Sequence, residues 1–476
     1  LAVLLAYSAL AAWLPPLDDE LYYWCWSQQL QFSYFDHPPL IAYLIRGSTA
    51  LFGNSVFAIR LPAVCASVVV VGVLWWFLRP RVLLPLVLCT PFFTFGAVLA
   101  TPDSPLLLLW ALYAVWLVRA QTRASVWVWI LGGVLLGLGI LGKYTMGLAV
   151  VAGFATFAFA RPWREWYRGY AVHLAVAVVV ASPILIHNVL HAFEPLQFQW
   201  AHSRGTPPAG FVSLAKFVGL QLLFFGALPF MVLVWAVRNW QSLMLDSRLR
   251  VCACLFVIPF AIFLAQSCRG TLEGNWSLVS YFTAWPLAAQ WYATARERPR
   301  MRWGTRVAFA VPAAFVLFLA VHCVSPLAVV PVNADRVSRQ ASKLQIAREL
   351  QAKLAAESDT TPLFVPYYQW TAILRWNRVD AEQLAVDSRR SHFTQTPVLH
   401  TKYERFYLFT DRPLNSAHFP GFAEPRCVAE FPMTVRGNPY GKFVLLEYSK
   451  SHARPERDNA RAGQLALDRV ASGSQR

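Results

Sequence analysis

The chain is poor in charge: Asp, Glu, Lys and Arg make up 14% of its 476 residues, while apolar residues make up 57%. That balance excludes a soluble globular protein and specifies an integral membrane protein. Acids are the scarcer sign, 25 against 42 Lys and Arg, which leaves a formal net charge of +17. The excess would suit a nucleic-acid binder, but the cations lie between apolar runs, where membrane topology places them. No nucleic-acid partner is expected. The eight Cys are scattered, several within apolar runs (Cys65, Cys89, Cys252, Cys254 and Cys323), without a Cys-x-x-Cys pair or zinc-spaced Cys and His. Neither a disulfide framework nor a metal centre is indicated. A Walker loop, a nucleotide-binding Gly pattern and an internal repeat are also missing, so nothing supports a nucleotide ligand.

What is present is a series of apolar runs, at 1–13, 56–78, 82–99, 105–118, 126–141, 145–160, 170–186, 214–237, 251–265, 278–291 and 307–330. These predict an α-helical polytopic membrane protein with about eleven transmembrane helices, several of them shorter than the ~20 residues of a straight crossing. The first run is short and the chain starts at Leu1, so this segment is expected to begin upstream; no small-residue cleavage site marks it as a signal peptide. Basic residues fall in every second connection: Arg79 and Arg81; Arg119 and Arg123; Arg161, Arg164 and Arg168; Arg238, Arg248 and Arg250; then Arg296, Arg298, Arg300, Arg302 and Arg306. Those connections are expected to face the cytoplasm.

The opposite connections hold the unusual polar residues. The segment 14–55 carries Asp18-Asp19-Glu20-Leu21-Tyr22-Tyr23-Trp24 and then Tyr34-Phe35-Asp36-His37-Pro38-Pro39-Leu40. Three adjacent carboxylates and an Asp-His pair at a membrane surface are costly to hold there and point to chemistry. Asp103, Lys143, the segment 191–208 and Glu273 with Asn275 fall on the same, outer side. Beyond 330 the pattern becomes an amphipathic helix followed by short apolar runs broken by Pro, Gly and Asn. The domain organisation read from this is a transmembrane domain at 1–330, a small extracytoplasmic α/β domain at 331–448 and a disordered tail at 449–476.

Five elements taken in order carry a family resemblance. They are Asp19-Glu20-Leu21-Tyr22-Tyr23-Trp24, Phe35-Asp36-His37-Pro38-Pro39-Leu40, Thr101-Pro102-Asp103-Ser104-Pro105, Gly142-Lys143-Tyr144-Thr145 and Glu273-Gly274-Asn275-Trp276. With them the chain resembles the bacterial glycosyltransferases related to protein O-mannosyltransferases and the aminoarabinose transferase of lipid A. The resemblance implies the C-type glycosyltransferase fold, a catalytic acid in the first outer loop, and a sugar drawn from a polyprenyl-phosphate carrier in a bacterial inner membrane. The acceptor, whether lipid A, a glycan, a glycolipid or a protein, is not specified by it. The segment Ser388-Arg389-Arg390-Ser391-His392-Phe393 also looks like an element of this group.

Glycosyl transfer from a lipid phosphate requires a base for the acceptor hydroxyl, stabilisation of the anionic leaving group and shielding from water. Asp19 matches the acidic position of the family and is the first choice as base, with Glu20 and Asp36 as further catalytic acids. Neighbours on a helix point about 100° apart, so Asp18 is more simply a helix cap than a second acid in the same pocket. Asp36 could orient sugar hydroxyls or cap the helix after Pro39, and His37 is read as a loop residue that could donate to phosphate. Asp103 is expected to cap its turn, with a secondary role at the site. Lys143, a lone cation on the outer side, suits the phosphate, with Tyr144 as companion donor; snorkelling to the headgroups is the alternative. Arg204, His202 and Arg269 could also meet phosphate. Glu273 and Asn275 would bind hydroxyls, and Trp276 would stack on a sugar ring or anchor the interface. A divalent cation could be held by clustered carboxylates, but Asp18 to Glu20 alone make no ion site and the cofactor stays open. A transporter or flippase for an anionic lipid or sugar is the alternative function, suggested by His187 and Asn188, although inverted repeats and interrupted midplane helices would then be expected.

Overall fold

The computed structural model describes residues 1–451 except 79–80, 123–124, 296–298, 357–359, 387, 413 and 415. Arg79, Arg123, Arg296 and Arg298, and most of the tail expected from 449, lie outside these residues. The chain divides into two compact units, Leu1–Gln345 and a second from Ile346 onward.

The first unit is helical. Five of its described helices are long and apolar enough to cross a membrane: Val56–Phe77, Asp103–Ala120, Tyr167–Leu190, Ser247–Ser267 and Trp303–Val324. The helices Phe211–Phe225 and Leu228–Arg238 pass that test only as a pair, and they meet at 105°. Pro229 opens the second of them, where its missing N–H costs nothing. The expected count of about eleven is therefore higher than the five or six that length and composition support. The 82–99 run accounts for part of the difference. Pro85 and Pro91 divide it, leaving Arg81–Leu83, Leu84–Leu88, Pro91–Thr94 and Gly96–Val98 as short helical pieces. The runs at 1–13, 126–141 and 145–160 form helices too short to qualify, among them Ala2–Trp13 and Val126–Gly142.

Packing within this unit relies on small residues, as expected where lipid supplies no hydrophobic drive between helices. A Cβ at Gly133 would lie 2.5 Å from the His173 carbonyl oxygen, and one at Gly137 would lie 2.8 Å from that of Ala177. Val126–Gly142 and Tyr167–Leu190 can approach this closely only with glycine at those positions. The first outer segment forms two further helices, Asp18–Gln28 and Leu40–Phe52. Trp26 stacks on Tyr34 with centroids 4.4 Å apart, and the Tyr34 hydroxyl donates to the Trp26 carbonyl at 2.9 Å. Burial pushes the Tyr34 phenol well above its usual pKa, so it stays a neutral clamp that folds the loop onto the first helix.

In the second unit a five-stranded mixed sheet has strand order β2-β1-β3-β5-β4. Its strands are β1 (Leu363–Val365), β2 (Ala381–Gln383), β3 (Arg405–Thr410), β4 (Arg426–Val435) and β5 (Asn438–Ser449). β1 runs parallel to β2 and β3, and β5 is antiparallel to β3 and β4. Phe364, Leu384, Phe406, Leu408, Phe419 and Tyr448 form a buried cluster against the sheet. Ser449 closes β5 and Lys450 bridges to Phe422, so the start of the expected tail is ordered strand.

Candidate active site

The acidic turn opens the Asp18–Gln28 helix, and its three carboxylates have separate environments. Glu20 is 1% exposed. Its carboxylate accepts from Arg60 Nε at 2.8 Å and Nη2 at 2.5 Å, from the Ala100 N–H at 2.9 Å and from the Leu17 N–H at 2.9 Å. Arg60 spends its other donors on the Ala11, Leu14 and Pro15 carbonyls. This network occupies the acceptor capacity of Glu20. The reading of Glu20 as a catalytic acid is thereby corrected: it ties the first helical turn to the Val56–Phe77 helix, and it supplies the N-terminal capping bond assigned above to Asp18. Asp18 instead pairs with Lys343, Nζ to Oδ2 2.5 Å, while Gln340 of the same Arg336–Ala356 helix donates to the Pro16 carbonyl at 2.8 Å. Asp19, between them, is exposed.

Asp36 is buried in the second half of the loop. Its Oδ2 accepts from the Tyr22 hydroxyl at 2.5 Å, and its backbone carbonyl accepts from Gln199. No side chain caps the helix that begins at Leu40, so Asp36 is not its cap. Pro38 and Pro39 are buried beside it, and His37 is half-buried with its ring 6.2 Å from that of Tyr23.

A second cluster forms from residues far apart in sequence. Asp103 accepts from Lys143 Nζ at 2.7 Å through Oδ1 and from Asn275 Nδ2 at 2.7 Å through Oδ2. Both members of the ion pair are buried. Thus Lys143 does not snorkel and Asp103 makes no side-chain cap at its turn. The aspartate stands on the first turn of its helix, where the helix dipole favours negative charge.

The Tyr167–Leu190 helix is followed by a turn and the Glu194–Ser203 helix. Asn188 donates to the Ile184 carbonyl and accepts from the Leu196 N–H, so it fixes a helix-to-helix turn. His187 is part of the same turn, its carbonyl accepting from the His191 N–H at 3.1 Å. In the Glu194–Ser203 helix, Phe198 packs on Phe35 at 4.8 Å and stacks with His202 at 6.0 Å; His202 meets the edge of Trp276 at 5.3 Å. Arg204 lies over Trp200, and Arg269 is exposed. Among the described residues neither forms an ion pair with a site acid. Their turns are stitched together, however, by backbone bonds between Thr206 and Thr271. Gly205 has φ +76°, and a Cβ there would lie 2.8 Å from the Gly270 carbonyl carbon. Gly205→Ala is therefore expected to destabilise the protein by about 1–3 kcal/mol, read as a lower thermal midpoint in detergent; an unchanged midpoint would show that the turn relaxes. Glu273 is exposed and Trp276 half-buried in the adjoining turn.

A cavity of about 430 Å³ is lined by Tyr144, Gln197, Gln199 and Trp200 among others. Through Phe193 and Leu196 it shares walls with an apolar groove of about 390 Å³ formed largely by Leu136, Ile140, Leu174 and Ile184. Among the described residues no group of three or more His, Cys, Asp or Glu is gathered to hold a metal ion.

Sequence reasoning missed Arg60, Gln199, Gln340 and Lys343. A charged residue inside the apolar 56–78 run was a usable signal for Arg60. Nothing local marked the other three, because their partners lie 163 or more residues away.

The helical bundle and the α/β unit resemble a solved membrane glycosyltransferase of the C-type fold. The crystal structure of ArnT from Cupriavidus metallidurans in the apo state matches with TM-score 0.64 and 15% identity, over 94% of this chain and 96% of that one. The same protein bound to undecaprenyl phosphate matches with TM-score 0.63 and 15% identity, over 96% and 98%. The family model for dolichyl-phosphate-mannose-protein mannosyltransferase matches residues 36–187. The lipid A galacturonosyltransferase RgtD of Rhizobium johnstonii is 25% identical over 358 residues, 72% of this chain and 73% of that protein. The chain is thus similar to membrane glycosyltransferases over most of its length, and it shares its fold with the ArnT structures.

Proposed function

We propose that the protein moves a sugar from a polyprenyl-phosphate donor to an envelope acceptor on the outer face of a bacterial inner membrane. The observation that carries this reading is the pinning of the acidic turn. Glu20, bound to Arg60, and Asp18, paired to Lys343, hold the turn on either side of Asp19, whose side chain is exposed. Asp19 takes the proton of the acceptor hydroxyl as its oxygen attacks the anomeric carbon and the lipid phosphate departs from the opposite face, so the transfer inverts configuration. Asp36, held by Tyr22 and Gln199, orients sugar hydroxyls. Lys143 has N–H donors beyond the one given to Asp103, and these serve the phosphate together with Arg204 and Arg269. Asn275 fixes Asp103 for this purpose, and Trp276, Glu273, Tyr144 and His37 serve as further contacts for donor and acceptor.

Support for a lipid-linked donor comes from an apolar groove and an adjoining cavity that share Phe193 and Leu196, surfaces that suit a polyprenyl chain. The alternation of basic connections supports an orientation with the acids and the α/β domain outside the cytoplasm. The test is mass spectrometry of envelope lipids, polysaccharide and outer-face proteins from cells with and without the protein. A sugar-sized mass present only with the protein is expected and identifies the acceptor. Proteoliposomes that carry donor lipid across the bilayer without consuming it would instead establish a transporter.

A further inference from the structure

The parallel part of the outer sheet has the topology that creates a binding crevice. β1 lies between β2 and β3, and the chain passes from β1 through the Tyr368–Trp376 helix to β2, then back across to β3. Connections from the neighbouring strands β1 and β3 therefore part in opposite directions. In open α/β sheets ligands bind outside the carboxyl ends of the strands at this reversal, because the parting connections leave a gap there.

Side chains from all three post-strand loops converge at that edge. Tyr367, just after β1, donates its hydroxyl to Asp411, just after β3, at 3.1 Å. The Arg412 guanidinium lies over the Tyr367 ring at 5.6 Å, and that of Arg389, from the loop after β2, lies over Tyr368 at 5.0 Å. The Arg389 loop is shaped from beneath by Gln383, which is 1% exposed. Its amide donates to the Arg389 carbonyl at 2.7 Å and to Ser388 Oγ at 3.2 Å, and its oxygen accepts from Ser391. A buried amide is thus committed to the form of a surface loop. Both arginines and Asp411 are exposed, and the two tyrosines are half-buried.

We propose that this crevice binds an anionic saccharide, a sugar bearing a phosphate or carboxylate. Guanidinium forks fit the oxygens of such a group, and stacking on a ring holds them in place before the ligand arrives. The tyrosine faces suit the C–H face of a pyranose, and the Asp411 carboxylate accepts from its hydroxyls. By sequence the starts of these loops carry Arg389, Arg390 and Arg412 against Asp387 and Asp411, a net positive charge that favours an anionic sugar over a neutral one. The site lies wholly within the second unit, and the inference is independent of the transfer chemistry assigned to Asp19.

The experiment is a titration of the full chain in detergent with glucose 1-phosphate, glucose and inorganic phosphate, followed by calorimetry and saturation-transfer NMR. Glucose 1-phosphate is expected to bind at least tenfold more tightly than either fragment, and R389A/R412A to weaken it at least tenfold. Both arginines are exposed, and an unchanged circular dichroism spectrum will confirm that the variant is folded. Equal binding by R389A/R412A, or equal binding of glucose and glucose 1-phosphate, overturns the proposal; inorganic phosphate binding as tightly as the sugar phosphate overturns its saccharide part. Displacement by monophosphoryl lipid A in mixed micelles would assign the anionic sugar to a lipid headgroup, and a lack of displacement would assign it to a soluble sugar phosphate; both outcomes support the site.

Discussion

Asp19→Asn is expected to lower the rate of sugar transfer by about 100- to 10,000-fold, the usual contribution of a positioned general base. The amide matches the carboxylate in size, and the side chain is exposed, so folding and membrane insertion should be unaffected. Loss is expected in kcat with little change in the KM for donor, because a base acts only as the acceptor hydroxyl attacks. The same replacement should remove the acidic limb of the pH–rate profile, where protonation of the base switches off the unaltered enzyme. Transfer within threefold of the original rate would assign the base elsewhere, with Asp36 the next acid to examine. Glu20→Gln supplies the contrast, since its effect should arise through stability.

The second large effect concerns the buried Glu20–Arg60 pair. Their side chains are 1% and 0% exposed and share two hydrogen bonds. Removing one partner from such a pair leaves an uncompensated buried charge and costs about 3–5 kcal/mol. Glu20→Gln and Arg60→Met are each expected to lower the thermal midpoint in detergent by several degrees, measured at a fixed scan rate because unfolding of a protein of this kind is irreversible. Combining Glu20→Leu with Arg60→Met removes both charges and should recover part of the stability, though not the activity, since the acidic turn loses its anchor. Midpoints unchanged in either single variant would show that water enters around the pair and that the turn is held by other contacts.

These expectations draw on the sequence and the structure unequally. Scarce charge and long apolar runs made the membrane class legible, because burial in lipid demands composition before it demands arrangement. The acids of the first outer segment were equally visible, since carboxylates beside aromatics and prolines stand out against an apolar background. Helix continuity was less legible. The 82–99 run is as apolar as a crossing helix, but Pro85 and Pro91 break it into short pieces, and the 214–237 run bends by 105° between Gly226 and Pro229.

The roles of individual site residues depended on partners that only folding brings near. Asp103 in isolation looked like a turn residue and Lys143 like a lone cation suited to phosphate or to snorkelling; their 2.7 Å ion pair, completed by Asn275, links positions 40 and 172 residues from Asp103. The three carboxylates of the acidic turn are chemically similar in sequence, and Arg60 and Lys343 make them different in the fold. The sequence by itself determined the membrane class and the outer location expected of the acids, because those follow from hydrophobicity and charge bias, which are summed over many residues. Tertiary structure alone decided which carboxylate Arg60 anchors and which Lys343 pairs with, because that choice rests on single contacts between residues brought together from distant parts of the chain.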